Sequence, residues 1–216
     1  MANSTSATRA RRTTKKAAEK ATTVRVWEDD PFSEGAVPIE RPVPKFPRGR
    51  LKVSIDGPQS PPGLYETGTP EFRYWTAADA LTRALAFWTP ILPKGTAWQI
   101  GRELPVKLDA GDKLNALYNR QNLLFFHAAV KGQTVFTGES PDVVIHELGH
   151  AMLDAIRPQL WNALSGEVAA FHESFGDMAA LLTALQLPSV QTAILAETGG
   201  VLNRSTRFSR LSEQLG

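Results

Sequence analysis

Pro141-Asp142-Val143-Val144-Ile145-His146-Glu147-Leu148-Gly149-His150-Ala151-Met152 is the stretch that decides how this chain is read. Residues four apart on a helix share a face, so His146 and His150 can reach one metal ion while Glu147 stands beside it. Two histidines and a glutamate in this order are a signature of metal-dependent hydrolysis. A third donor is needed, and Glu167, His172, Glu173 and Asp177 all follow the histidine helix. Glu173 and Asp177 are again four apart, so one carboxylate can bind the metal while the other accepts the free N–H of a ligand imidazole. The reading favours Glu173 as ligand and Asp177 behind it, with His172 expected to point elsewhere.

Two imidazoles and one carboxylate leave a fourth position open on a Zn2+ ion. Zinc lowers the pKa of a water in that position to roughly 7, and Glu147, next to a ligand but not bound, is placed to take the proton and pass it to a leaving amine. The expected reaction is hydrolysis of a peptide bond in a peptide or protein substrate. The alternative is a non-catalytic protein in which zinc staples two helices and the surface binds a partner. A structural zinc site usually has four protein ligands and no use for an unbound glutamate, so Glu147 favours catalysis. A non-peptide amide as substrate remains compatible with the same residues.

With 216 residues, 42% of them hydrophobic and 21% charged, the chain can bury one good core and reads as a globular protein. It contains no cysteine, so a zinc site must be built from His, Asp and Glu. No apolar run has the length of a membrane span and the first residues lack the apolar core of a secretory signal, so a cytoplasmic protein without membrane contact is expected. The pI of about 9.0 suggests nucleic acid until the charges are placed. Arg9, Arg11, Arg12, Lys15, Lys16 and Lys20 are opposed only by Glu19 in the first twenty residues. Of 24 basic and 22 acidic side chains, that leaves 18 against 21, so the body is mildly acidic and nucleic-acid binding is not expected. The basic tail is a solvated segment, with docking to an acidic partner or targeting as lesser alternatives.

Residues 1–27 are expected to be disordered for want of apolar surface. Residues 28–70 form a proline-rich extended segment, with nine prolines between Asp30 and Pro70 and a short strand near Leu51 to Ile55. The remaining unit, 71–216, is expected to be α+β. From Thr76 the pattern changes, and Ala77, Ala80, Leu81, Ala84, Leu85 and Trp88 keep helical spacing up to Pro90. Leu104 to Leu108, Lys113 to Tyr118 and Asn122 to Ala129 read as strands, with turns at Gly111, Arg120-Gln121 and Gly132. The histidine helix should end at Arg157-Pro158, a second helix should run from near Ser165 to Gln186, and weaker ones from Ser189 to Glu197 and Ser205 to Leu215.

Over roughly residues 112 to 185 the chain resembles the gluzincins, most closely the thermolysin-like zinc metallopeptidases. Asn115-Ala116-Leu117-Tyr118 is similar to their Asn-Ala-x-aromatic edge strand. Gly132-Gln133-Thr134, Asp142-Val143-Val144, Ser165-Gly166 and Glu173-Ser174-x-x-Asp177 follow in the family's order, and Asn115 precedes His146 by 31 residues. Metzincins are excluded because Leu153 and Ile156 stand where they need Gly and His. The resemblance implies a zincin-like fold, in which a small β region with an edge strand packs on the active-site helix and the ligand helix. It also implies that Asn115 and Ala116 bind the substrate backbone. Trp161 stands where the family has a tyrosine that stabilises the oxyanion, and an indole N–H can donate one hydrogen bond in its place. The family's C-terminal helical domain and its histidine have no counterpart after His172.

Overall fold

The computed structural model describes residues 21–33, 35–163, 165–201 and 203. In chain order it contains β1 (Thr23–Val26), β2 (Ile39–Pro42), β3 (Val53–Ile55), α1 (Pro70–Trp88), β4 (Leu104–Lys107), β5 (Ala116–Tyr118), β6 (Leu123–Phe125), β7 (His127–Val130) and β8 (Gln133–Phe136). These are followed by α2 (Pro141–Ile156), α3 (Gly166–Ala184) and α4 (Pro188–Thr198), with 3-10 turns at Thr137–Glu139 and Pro158–Asn162. The class is α+β, as expected. The helix expected from Ser205 to Leu215 and the first twenty residues of the tail lie outside the described residues.

Three helices begin in the same way, on a hydroxyl that satisfies a backbone N–H left free at a helix start. Thr69 accepts from Phe72 N, Ser140 from Val143 N and Ser165 from Val168 N. Proline follows the cap in α1 and α2, where its missing N–H costs nothing. The Thr69-Pro70 pair starts α1 six residues ahead of the expected Thr76. Pro158 stops α2 by driving Arg157 out of the helical region, to φ −142°.

The main sheet has the order β3-β4-β6-β5, parallel except for the antiparallel β5/β6 pair. Among the described residues β5 therefore forms an open edge, the placement expected for Asn115 to Tyr118. Arg120 turns the chain between β5 and β6 with φ +69°, supported by the Asn119 side chain accepting from the backbone N–H groups of Gln121 and Asn122. Leu104, Val106, Leu123 and Phe125 from the sheet pack against Leu81, Leu85 and Trp88 of α1 and Ile145, Leu148 and Met152 of α2, all in one core. Trp88 Nε1 donates to Thr183 Oγ1 at 3.0 Å, which ties α1 to α3.

Three expectations are corrected. Residues 23–26, assigned to a disordered tail, form a strand paired with Ile39–Pro42, and Val24 and Val26 are fully buried against Trp75 and Ala78 of α1. Burial of each valine supplies about 1.5–3 kcal/mol, enough to order a short strand that propensity alone would not. The short strand expected near Leu51 to Ile55 forms as β3, and what is corrected is its place: it joins the main sheet and puts Leu51 and Val53 in the core of the 71–216 unit rather than lying outside it. The strand expected over Asn122 to Ala129 divides at Phe126. There the backbone N–H of Phe126 turns to Thr137 Oγ1 and Asn115 O, and His127–Val130 forms a separate hairpin with β8.

Candidate metal centre

The site lies where α2 and α3 cross beneath the edge strand. Two glycines permit the close approach. A Cβ on Gly149 of α2 would stand 2.9 Å from Gly176 Cα, and a Cβ on Gly176 of α3 would stand 2.8 Å from the His146 ring. With neither present, Asp177 Oδ1 comes within 2.9 Å of His146 Nδ1. With the ring proton on Nδ1, that contact is a hydrogen bond from His146 to Asp177, and Nε2 keeps the lone pair that a metal needs.

His146, Glu147 and His150 each offer a ligand atom, all within 4.8 Å of one another, and this cluster could hold a metal ion. Glu173 joins from α3, with Oε2 at 3.3 Å from His146 Nε2 and Oε1 at 3.7 Å from His150 Nε2. The two carboxylates differ in setting. Glu147 is buried, whereas the Glu173 side chain is 67% exposed. Burial pushes the Glu147 carboxyl up to about 8; a backbone hydrogen bond from Tyr118 of the edge strand opposes this, and the charge of Glu173 adds to it. Its Oε2 is buried without a hydrogen-bond partner. Burial also pulls His150 down to about 3, helped by His146 and His172, so at neutral pH it is an unprotonated imidazole.

These observations fit a cation. An ion beside Nε2 of both histidines would use their lone pairs, compensate Glu173, and bring the raised pKa of Glu147 down by simple charge attraction. The donors, two imidazole nitrogens and carboxylate oxygens without thiolate, suit a first-row divalent metal such as zinc.

A cleft of about 490 Å3 opens over the cluster. Asn115, Ala116, Leu117 and Tyr118 form one side; Leu160 and Trp161 and the first turns of α3 form another. The structure thus brings Asn115, Ala116 and Trp161 to the same space as His146, Glu147, His150 and Glu173, with Asp177 behind His146. The Asn115 carbonyl is already engaged by Thr137 Oγ1 at 2.9 Å. Trp161 stacks edge-on to Tyr118 at 5.4 Å between ring centroids, with the Arg120 guanidinium 5.2 Å from its own ring. His127 is not part of the cleft lining; its Nδ1 meets Asp109 Oδ1 at 2.7 Å.

One expectation about the site is overturned. His172 does not point elsewhere: it lines the cleft beside Glu173, 5.8 Å from the His150 ring and 6.2 Å from that of Trp161. Successive helical residues lie about 100° apart, so a helix projecting edge-first into a cleft presents two neighbours to it. Sequence reasoning also missed Gly149 and Gly176, whose signal was a small residue on each of the two helices that must supply ligands to one point. Asp154 was missed as well. Fully buried on α2, it accepts from the Tyr118 hydroxyl at 2.9 Å and forms a two-pronged pair with Arg120, binding the edge-strand turn to the histidine helix.

No family model matches the chain, and no curated protein matches it. Among the described residues no single helix is long and apolar enough to cross a membrane.

Proposed function

We propose that this chain is a zinc-dependent metallopeptidase of the gluzincin type with a zincin-like arrangement of edge strand, histidine helix and ligand helix. The observation that carries the reading is the convergence of His146, His150 and Glu173 below an open strand edge, with Asp177 orienting His146. His146, His150 and Glu173 would hold the ion, and a bound zinc would supply Lewis acidity toward the substrate carbonyl and activate water for attack.

The chain's own residues account for the remaining tasks. β5 lies at the sheet edge, where an extended peptide can pair with it, and Asn115 and Ala116 line the cleft with the rest of that strand. Glu147 rather than Glu173 is the base. It is desolvated, kept close by the Tyr118 backbone and left with one free oxygen, so it can accept a proton from water and deliver it to the departing amine. Trp161 lines the cleft beside Tyr118 of the edge strand and His172 of α3 and can offer one indole N–H to substrate. A purely structural zinc site would leave Glu147 without a role.

The reading is tested with zinc-loaded protein and an unfolded substrate such as casein. Zinc-dependent cleavage, lost in Glu147→Gln with the metal retained, is the expected result. Cleavage unaffected by chelation, or equal in the variant, would contradict it.

A further inference from the structure

Resting on the peptidase reading, we propose that Thr137 is a positioning residue for substrate: its buried hydroxyl holds the Asn115 carbonyl inward and so sets which backbone groups of β5 meet the peptide. In an antiparallel strand the N–H and C=O of one residue point to the same side, and successive residues alternate. Phe126 N–H donates to Asn115 O at 3.2 Å and Asn119 N–H to Asn122 O at 3.2 Å, so Asn115 and Asn119 face the sheet. Phe125, opposite Ala116, gives its carbonyl to Ala110 N–H instead. Ala116 and Tyr118 therefore turn their backbone groups to the open edge, and the hydrogen bond from the Tyr118 backbone to Glu147 agrees with that phase. With the Tyr118 N–H engaged by Glu147, Ala116 is the cleft residue left to exchange both an N–H and a C=O bond with an extended peptide.

Thr137 fixes this phase from the sheet side of the strand. It is 1% exposed, in the 3-10 turn ahead of α2, and is not part of the cleft lining. Its Oγ1 lies 2.9 Å from Phe126 N, 2.9 Å from Asn115 O and 3.0 Å from Phe126 O. The hydroxyl accepts the Phe126 N–H and has one proton to give. Phe126 O already accepts from Thr137 N–H at 2.9 Å, so that proton belongs to Asn115 O. Gly138 lets the turn lie this close, since a Cβ there would stand 3.3 Å from Leu108 O and from Phe125 Cβ. Three residues on from Thr137, Ser140 caps α2 and donates its own N–H to Thr137 O at 3.3 Å. One hydroxyl thus joins the start of the substrate strand to the start of the helix that carries His146 and Glu147.

The test measures zinc content, circular dichroism, kcat and KM for wild type, for Thr137→Val, which loses the hydroxyl, and for Thr137→Ser, which keeps it. The substrates are a fluorescence-quenched peptide and analogues in which each amide flanking the scissile bond is replaced in turn by an ester, which removes one substrate N–H. Expected in Thr137→Val is one zinc per chain and KM higher by about 3- to 10-fold with kcat little changed, and KM restored in Thr137→Ser. One ester position should raise the wild-type KM by a similar factor, and that penalty should shrink in Thr137→Val, where the Ala116 carbonyl no longer meets the N–H. A hydroxyl that only stabilises the fold would lower the melting temperature and leave the ester penalty in place. An unchanged KM and ester penalty in folded, zinc-loaded Thr137→Val would overturn the positioning role while leaving the peptidase reading standing. Loss of zinc in that variant would place the effect on the histidine helix and overturn the role as well. If Thr137→Val does not fold, Thr137→Cys, with a weaker donor of similar size, is read by the same criteria. A zinc-loaded wild type that cleaves none of these peptides would overturn the peptidase reading and the proposal with it.

Discussion

The two helices that meet at the candidate metal centre are built on opposite principles. From Pro141 to Gly149 every residue of α2 is buried, whereas α3 leaves Phe171, Met178 and Leu182 exposed and only Gly176, Ala179, Ala180, Thr183 and Ala184 buried. The histidine pair is therefore held by a helix the core cannot do without, and the acidic partners by one that faces water. A scaffold that is rigid on one side and accessible on the other lets a ligand carboxylate be exchanged or adjusted at little cost to folding. Damage to α2 should accordingly appear as lost stability, and damage to the first turns of α3 as lost metal binding.

The sharpest break of that contrast is Leu148→Ala, which empties a fully buried site between α2 and the sheet and should cost about 2–5 kcal/mol; chemical denaturation measures it. Asp154→Ala should follow at about 3 kcal/mol, toward the low end for a severed buried pair because the stranded Arg120 still reaches water. If either leaves the denaturation midpoint unmoved, α2 is not the structural helix described here. Gly176→Ala sits at the crossing itself. Its Cβ would stand 2.8 Å from the His146 ring and push it off Asp177, so metal affinity should fall even though alanine favours a helix by about 1 kcal/mol. Metal titration against the melting temperature separates the two effects. Asp177→Ala, at a side chain 50% exposed, should change stability by no more than about 0.5 kcal/mol yet weaken metal binding by about 10- to 100-fold. Equal losses of stability from the α2 and α3 substitutions would dissolve the distinction.

The last comparison concerns pH in the metal-free chain. His150, pulled down from its ordinary 6.5 to about 3, favours the folded state above that range and costs stability as pH falls from 6.5 toward 3. Glu147, raised from 4.5 to about 8, costs stability as pH rises across that interval. The two slopes oppose each other between 4.5 and 6.5, so the contribution of this pair should be broadly maximal there and decline on both sides. Zinc should abolish the alkaline decline, because a cation lets Glu147 ionise. Thermal melts with and without chelator across that range check both statements.

Much of this was legible in the sequence for a common reason: the signals were local. Ser140-Pro141 and Arg157-Pro158 bound α2 by capping and proline sterics, four-residue spacing put His146 with His150 and Glu173 with Asp177, and Lys113 to Tyr118 read as a strand, its place at an edge being what the resemblance implied. What escaped depended on distant contacts. Val24 and Val26 are a strand only because Trp75 and Ala78 cover them, and Asn122 to Ala129 divides only because Thr137 captures the Phe126 backbone. His172 faces the cleft because the Gly149–Gly176 crossing sets how α3 is rolled, which its own sequence does not encode. Thr69-Pro70 was a local signal all the same, and it marks the start of α1 better than the apolar spacing that begins at Thr76.

The central claim is that Glu173, and not the neighbouring Glu147, completes the metal site. Zinc affinity by competition with a chromophoric chelator, compared in Glu173→Ala and Glu147→Ala, tests it most directly. The account predicts that Glu147→Ala keeps one zinc per chain near wild-type affinity while Glu173→Ala loses it by orders of magnitude; the reverse pattern would contradict the account.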